Sequence, residues 1–393
     1  MIDRVGKECC GCSACEQSCP KHCIRMAVNR EGFLYPQIQW ADCVHCNLCE
    51  TVCPVLRETI PGRGDLREAW AVVQQDPCIL KSSSSGGLFT ALADTVMEKG
   101  GCVFGAAFTG DFGSVQHRMA QTPEEVCSLR DSKYMQSDTA DCYPAVKEQL
   151  DLGRWVLFTG TPCQIAGLTG YLGRDYDRLI CADVICHGAP SALLWQQYLH
   201  NVEENLCGKA AAVNHRDKTE GWSRYGMDIT AENGKTYHGS LKEDPYLRMF
   251  LKNVSLRESC YHCRIKEKGS PSDITMGDFW HVEEFLPKLD SGMGVSLALV
   301  HTEKGRVLFE QAGGRMEVIP VEYPGPLRYN PSLTNSAVRP RQRDRFYADL
   351  KRLGWMKMEK RYLKDHWWNA VRRKLSASPV GAVKRRFIRS IHA

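Results

Sequence analysis

The chain has 393 residues, of which 43% are apolar and 25% charged, with a formal net charge of +5. This length gives room for two or three domains, no apolar run approaches the roughly 18 residues of a membrane helix, and the start, Met1-Ile2-Asp3-Arg4, lacks the apolar stretch of a secretion signal. The charge is divided: from Arg339 onward there are 17 Lys and Arg against 4 Asp and Glu, which leaves 34 against 42 for residues 1–338. An acidic body with a basic tail and no readout motif argues against nucleic-acid binding.

The 20 cysteines carry most of the information. Cys9, Cys12, Cys15 and Cys19 precede Pro20, and Cys43, Cys46, Cys49 and Cys53 precede Pro54 in the same spacing. That run is the one with which bacterial ferredoxins hold 4Fe-4S cubanes. Three thiolates on one loop reach three irons of a cube and the fourth points to the other cluster. The expected pairing is therefore crossed, with Cys9, Cys12, Cys15 and Cys53 on one cluster and Cys43, Cys46, Cys49 and Cys19 on the other. Structural zinc is the competing reading, but zinc takes four ligands per ion and has no use for two complete runs, each closed by Cys-Pro. Thiolate ligands survive in a reducing compartment, so the expected location is cytoplasmic. Cys10 and Cys23 lie off the pattern and read as packed thiols. Between the runs, residues 24–28 and 33–38 flank Asn29-Arg30-Glu31-Gly32 and read as a hairpin, so residues 1–60 form a small α+β ferredoxin-like domain.

Residues 61–68 are polar, carry Pro61, Gly62 and Gly64, and read as a linker. A strand at 69–73 leads to four serines, Ser82 to Ser85, then Gly86 and Gly87, directly before a helical pattern at 88–97. Serines and glycines at a helix start are either an ordinary cap or an anion site. Strands follow at 102–108 and 115–120, and a helix at 144–152. The strand at 155–158 runs into Thr159-Gly160-Thr161-Pro162-Cys163, a βα turn of the kind at which α/β sheets bind ligands. A strand at 179–185 ends in Cys186-His187-Gly188 before a helix at 192–202. This alternation predicts an α/β core over residues 69–335. Cys260 and Cys263 form one more CxxC pair. Spacing alone leaves two readings of Cys163, Cys186, Cys260 and Cys263, a third metal site or buried thiols. Residues 273–280 read as a loop rich in hydrogen-bonding groups, and 295–300 as a strand. The stretch 336–393 reads as a basic helical tail, whose last segment, 383–391, is cationic and amphipathic and suits either solvent or an anionic membrane or partner surface.

Six segments in order, Ser85-Gly86-Gly87, Ser132-Lys133-Tyr134, Phe158 to Gln164, Ile185 to Gly188, Cys260 with Cys263, and Asp273 to Asp278, resemble the coenzyme F-420 hydrogenase/dehydrogenase beta subunit family. The resemblance spans about residues 70 to 310. It implies an iron-sulfur flavoprotein in which Cys163, Cys186, Cys260 and Cys263 hold a third 4Fe-4S cluster close to FAD. It also implies that Ser85, Gly86, Gly87, Lys133, Tyr134 and the segment with Asp273, Gly277 and Asp278 line the flavin site, with Gly160 and Thr161 of the βα turn as further candidates. His187, Arg216, Lys218, Trp222 and Arg257 are candidates for gripping an anionic substrate or passing a proton. Two positions depart from the family pattern: His215 stands where an aromatic usually precedes the arginine, and His281 stands where glycine is frequent.

The function expected from these features is an oxidoreductase that passes electrons from ferredoxin, or a similar one-electron donor, through clusters and FAD to an organic substrate. The alternatives are a non-catalytic electron-relay subunit of a hydrogenase-type or dehydrogenase-type complex, and a redox sensor or scaffold.

Overall fold

The computed structural model describes residues 2–59, 66–269 and 271–363. Most of the expected linker lies outside the described residues, as do Trp367, Val371 and the segment 383–391 of the expected tail. Two compact units are formed, one up to Ala348 and a second from Asp349. In the second, helix Trp355–Leu363 places the Tyr362 hydroxyl 2.8 Å from Asp349, which also pairs with Arg361 at 3.1 Å.

The ferredoxin-like segment contains β1 (Ile24–Val28) and β2 (Leu34–Ile38), an antiparallel hairpin. Its turn is fixed by Asn29, whose Oδ1 accepts from the amides of Glu31 and Phe33, each at 2.9 Å; asparagine closes turns in this way. Gly32 has φ +82°, and a Cβ there would meet Leu193 Cβ at 2.4 Å. The hairpin tip is thus pressed onto helix Ala192–Leu206.

The body is built on an eight-stranded sheet. Its strands are β3 (Glu68–Gln74), β4 (Cys102–Phe108), β5 (Val115–Ala120), β6 (Val156–Gly160) and β7 (Leu179–Val184). Between these and the remaining strands, β8 (Ala210–Asp217), β9 (Gly226–Ala231) and β10 (Thr236–Ser240) make a separate three-stranded meander. The large sheet is completed by β11 (Ile274–Asp278), β12 (Ser296–Val300) and β13 (Met316–Val321), in the order β13-β3-β12-β11-β7-β6-β4-β5. Strands β4, β6, β7 and β11 run parallel, and antiparallel strands flank them on both sides. The parallel centre follows from composition: Val156-Leu157-Phe158 and Leu179-Ile180-Cys181-Ala182 are buried without alternation, as strands covered on both faces are.

Two expectations change here. Residues 273–280, read as a loop, contain the central strand β11, paired parallel with β7 and antiparallel with β12. Its two apolar side chains, Ile274 and Met276, are hidden between Asp273 and Asp278, whose polarity suggested a loop. The meander β8-β9-β10 was not anticipated at all. β8 and β10 are partly exposed, and polar residues interrupt all three strands, so no apolar run announces them.

Helix Pro162–Leu172 ties the ferredoxin-like segment to the sheet. A Cβ on Gly167 would lie 2.9 Å from Cys12 Cβ, and one on Gly170 would lie 2.3 Å from the carbonyl oxygen of Val52. Cys12, Ala14 and Val52 share a hydrophobic cluster with Phe158, Ile165 and Leu168. The two glycines let backbone approach backbone, so Gly170→Ala is expected to cost about 1–3 kcal/mol by overpacking. Thermal unfolding checks this, and an unchanged midpoint would contradict the close approach.

Candidate functional site

The two cysteine runs adopt one backbone path. Gly11 and Ser13 have φ +70° and +61°, and the matching His45 and Asn47 have +56° and +61°. Each pair of left-handed residues throws the chain into a one-turn helix, Ala14–Gln17 or Leu48–Thr51, that presents the third cysteine. The thiols are free. Burial, reinforced by the charges of Cys9 and Cys53, pushes the Cys15 thiol far above its ordinary range. Burial also raises Cys53, and Cys9 is again among its charged neighbours. Cys23 sits 3.4 Å from Cys19 Sγ and is raised by burial and by Cys19 and Cys43. Cys53 thus lies beside Cys9, Cys12 and Cys15 of the first run, and Cys23 lies near both Cys19 and Cys43. Thiols that repel one another as thiolates fit a site whose charge is balanced by bound iron.

The copies differ in one respect. Residues 11–15 are buried, while 44–48 are exposed. Burial follows from a set of braces between the first run and the body. Arg257, 1% exposed, donates to the carbonyl of Cys9 at 2.7 Å, of Leu34 at 2.7 Å and to Gln136 Oε1 at 2.9 Å. The hydroxyls of Thr139 and Tyr143 both donate to the carbonyl of Cys12, at 3.1 and 2.8 Å.

A cavity of about 510 Å³ opens at the carboxyl ends of β6, β7 and β11. This is the crevice in which open α/β sheets take ligands. Cys163, Cys186, Cys260 and Cys263 all line it. They arrive from the βα turn after β6, the turn after β7, and the short helix Glu258–His262 with its end. Burial raises Cys260 to about 12, and the charges of Cys163 and Cys263 add to that rise. Cys186 is raised by burial and then by Cys260, Cys163 and Cys263. Four free thiols raising one another at a cavity wall fit a cluster. Among the described residues no three His, Cys, Asp or Glu side chains converge on the position of a single ion; a cubane is held by a wider set, each thiolate binding its own corner.

Cys10, off the pattern, also lines this cavity. Its thiol is raised chiefly by a hydrogen bond with Cys12, against one with Cys163. It therefore sits between Cys12 of the first run and Cys163 of the cavity wall.

The remaining wall carries Ser83, Ser84, Ser85, Gly87, Lys133, Tyr134, Gly160, Thr161, His187, Arg216, Gly277 and Asp278. Arg216 grips Asp278 with both terminal nitrogens, at 2.9 and 3.1 Å, and donates to the Tyr134 hydroxyl at 3.2 Å and the Ser84 carbonyl at 3.0 Å. Its guanidinium lies 3.9 Å from the centre of the Tyr225 ring. Burial opposes its charge, but Asp278 and the phenols outweigh burial and hold its pKa above the ordinary value. Its Nε is buried without a partner, a donor left over for a bound acceptor. Lys133 donates to the carbonyls of Ser128 and Arg130, and burial pulls its pKa down to about 8 against the charge of Asp131. His187 holds Asn253 Oδ1 at 2.6 Å, and burial lowers its pKa.

Several candidates are placed elsewhere. Asp273 lies at the opposite end of β11, accepting from the Cys181 amide at 2.7 Å and the Thr302 hydroxyl at 2.6 Å; it is a brace within the sheet. Gly86 donates its amide to Ser296 Oγ at 2.9 Å, and a Cβ there would meet the Val72 carbonyl at 2.1 Å. Ser85 spends its hydroxyl on the carbonyl of Val295. The serine-glycine turn is thus partly consumed in packing on β3 and β12, and only part of it faces the cavity. Lys218 is buried in a ring of three carbonyls, Leu80, Ser85 and Met293. Trp222 stacks on Trp280 at 4.9 Å, and only Trp280 of the two lines the cavity. Arg257 reaches the cavity wall, but its guanidinium is committed to the braces above.

His215, the departure before Arg216, accepts from the Tyr134 amide at 2.8 Å and packs 4.5 Å from the Trp195 ring. Burial holds it at about 3, so it is a neutral ring among aromatics. No motif pointed to His117, whose ring nitrogens meet the Thr159 carbonyl at 2.9 Å and Ser137 at 3.0 Å under the cavity floor, or to Tyr225. His117 lies on the predicted strand β5 and Tyr225 just ahead of β9, and neither belongs to the six segments that carried the resemblance.

Residues 153–323 match the family described as the C terminus of the coenzyme F420 hydrogenase/dehydrogenase beta subunit, and residues 8–56 match the 4Fe-4S dicluster domain. Together with the two thiol loops, this defines an iron-sulfur electron-transfer protein. Residues 153–323 thus carry the C-terminal domain of the coenzyme F420 hydrogenase/dehydrogenase beta subunit family, behind a 4Fe-4S dicluster domain. A chain of the F420-reducing NiFe hydrogenase complex from Methanosarcina barkeri is 19% identical, with a TM-score of 0.46, over 70% of this chain and 90% of that one. No curated protein matches. Among the described residues no helix is long and apolar enough to cross a membrane.

Proposed function

We propose that the chain is an iron-sulfur flavoenzyme that takes electrons from a one-electron donor protein at the dicluster domain and delivers them, in a single cavity, to FAD and an organic substrate or coenzyme. The observation that carries this reading is the convergence of Cys163, Cys186, Cys260 and Cys263 with Lys133, Tyr134, Arg216 and Asp278 on one cavity. FAD, when bound, exchanges single electrons with clusters and electron pairs with organic substrates.

The chain's own residues divide the remaining work. Arg216, locked by Asp278 and lying on Tyr225, offers its unpartnered Nε to an acceptor on the cofactor. Cys10, between Cys12 and Cys163, fills the gap between the first cysteine run and the cavity with sulfur. The half-buried His187, oriented by Asn253, is the group suited to carry a proton at the wall. An anaerobic FAD titration of the reconstituted protein tests the reading: about one FAD per chain is expected, with Arg216→Met binding at least tenfold more weakly. Failure of the wild-type protein to bind flavin would favour the relay reading.

Lys133 supplies a pH dependence. Its folded pKa of about 8 lies below the ordinary lysine value. From about pH 10 down to 8 the unfolded chain takes up a proton that the folded one refuses, so this group costs stability progressively over that window and fully below it. Within the folded protein the ammonium is present below about 8 and lost above. Affinity for the anionic cofactor is therefore expected to fall between about pH 7 and about pH 9, and Lys133→Met to remove most of that fall. Equal wild-type affinity at both values would contradict the role.

A further inference from the structure

The two cysteine runs share spacing and backbone, yet their surroundings are inverted with respect to their side chains. At the positions where the first run has the half-buried Cys10 and the buried Ala14, the second has Val44 and Leu48, which are larger. These are the exposed ones: Val44 is 56% exposed, Leu48 43%, and Trp40 just ahead of them 52%. Burial alone predicts that the larger apolar side chains of the second run would be covered at least as well. Cys46, between Val44 and Leu48, is itself exposed. From residue 39 to 49 the only formal charge is Asp42.

We infer that the surface formed by Trp40, Val44 and Leu48 around Cys46 is where a small one-electron carrier protein with a cluster near its own apolar surface docks. This rests on the proposed electron-transfer function. The first run cannot serve, because Arg257, Thr139 and Tyr143 seal it against the body. The second run leaves its ligand Cys46 in solvent, and a cluster there is the one a visiting carrier can reach. Three large exposed apolar side chains lie within nine residues of one loop, and exposed apolar surface of this kind marks interaction sites. A patch of three such residues fits the small, transient contacts typical of redox encounters. With a single charge in the loop, the contact relies on apolar burial rather than on local steering.

The test uses the full reconstituted protein, with a dithionite-reduced bacterial 2×4Fe-4S ferredoxin as probe, and follows cluster bleaching by stopped flow. The double variant Val44→Lys, Leu48→Glu is expected to lower the second-order rate with ferredoxin at least tenfold. Its iron content and its rate of reduction by dithionite alone should stay as in the wild type. Trp40→Ala, which adds no charge, is expected to lower the same rate by a smaller factor. If ferredoxin reduces the wild type and both variants equally fast, the docking surface is overturned and the electron-transfer function stands. If ferredoxin fails to reduce a wild-type protein that dithionite does reduce, both the surface and the ferredoxin-type donor are overturned.

Discussion

Replacing both Cys260 and Cys263 by serine is expected to remove about four irons per chain and to leave the dicluster domain loaded. The two residues line the cavity from one short helix and its end, near Cys163 and Cys186. Serine keeps the volume but lacks the thiolate that binds iron at neutral pH, so half of the proposed third ligand set is lost at once. The dicluster ligands lie within residues 9–53 and none is altered. Chemical iron and sulfide analysis reads the result, and the low-temperature EPR of the dithionite-reduced protein should lose one of its components. An iron count equal to that of the wild type would refute the third cluster. Cys49→Ser should behave differently, reducing the iron of the dicluster domain while the cavity set remains.

Arg257→Leu is expected to destabilise the protein by about 3 kcal/mol or more. A buried guanidinium here donates to three oxygens in two parts of the chain, the carbonyls of Cys9 and Leu34 and the side chain of Gln136. It also lies 4.2 Å from the centre of the Tyr35 ring. Hydrogen bonds from a charged group contribute about 1.5–3 kcal/mol each, and abandoned buried acceptors cost about 1–3 kcal/mol, so the leucine's apolar burial offsets only part of the loss. Arg257→Lys should rescue little, because one ammonium cannot reproduce a planar fork aimed in three directions. Thermal unfolding measures the loss, and the first cysteine run should surrender iron to a chelator sooner than in the wild type. A variant with the wild-type midpoint and chelator resistance would show that the ferredoxin-like segment is held to the body by other means.

The dicluster site was legible from spacing alone, since its ligands come from one continuous stretch and a cubane dictates the intervals between them. Strand β4 was equally plain, bounded and apolar. The cavity was not legible in this way. Its thiols come from separate turns brought together by the parallel order β6-β7-β11, and spacing carries no record of that order. Asp273 illustrates the limit: six polar and glycine-rich segments in order pointed to the right region, but a carboxylate next to a short strand can face the ligand or brace the sheet. Here it braces the sheet, while Asp278, at the other end of the same strand, faces the cavity. Lys218 and Arg257 misled in the same direction. Buried cations read as ligand-gripping groups until the carbonyls that consume them are known, and those carbonyls lie up to 248 residues away in sequence.

That three clusters serve one flavin in one chain is tested most directly by anaerobic quantification of iron, acid-labile sulfide and released flavin after reconstitution. About twelve irons and about one FAD per chain are expected. About eight irons with no flavin would contradict that arrangement, leaving a dicluster relay whose cavity holds neither the third cluster nor the cofactor.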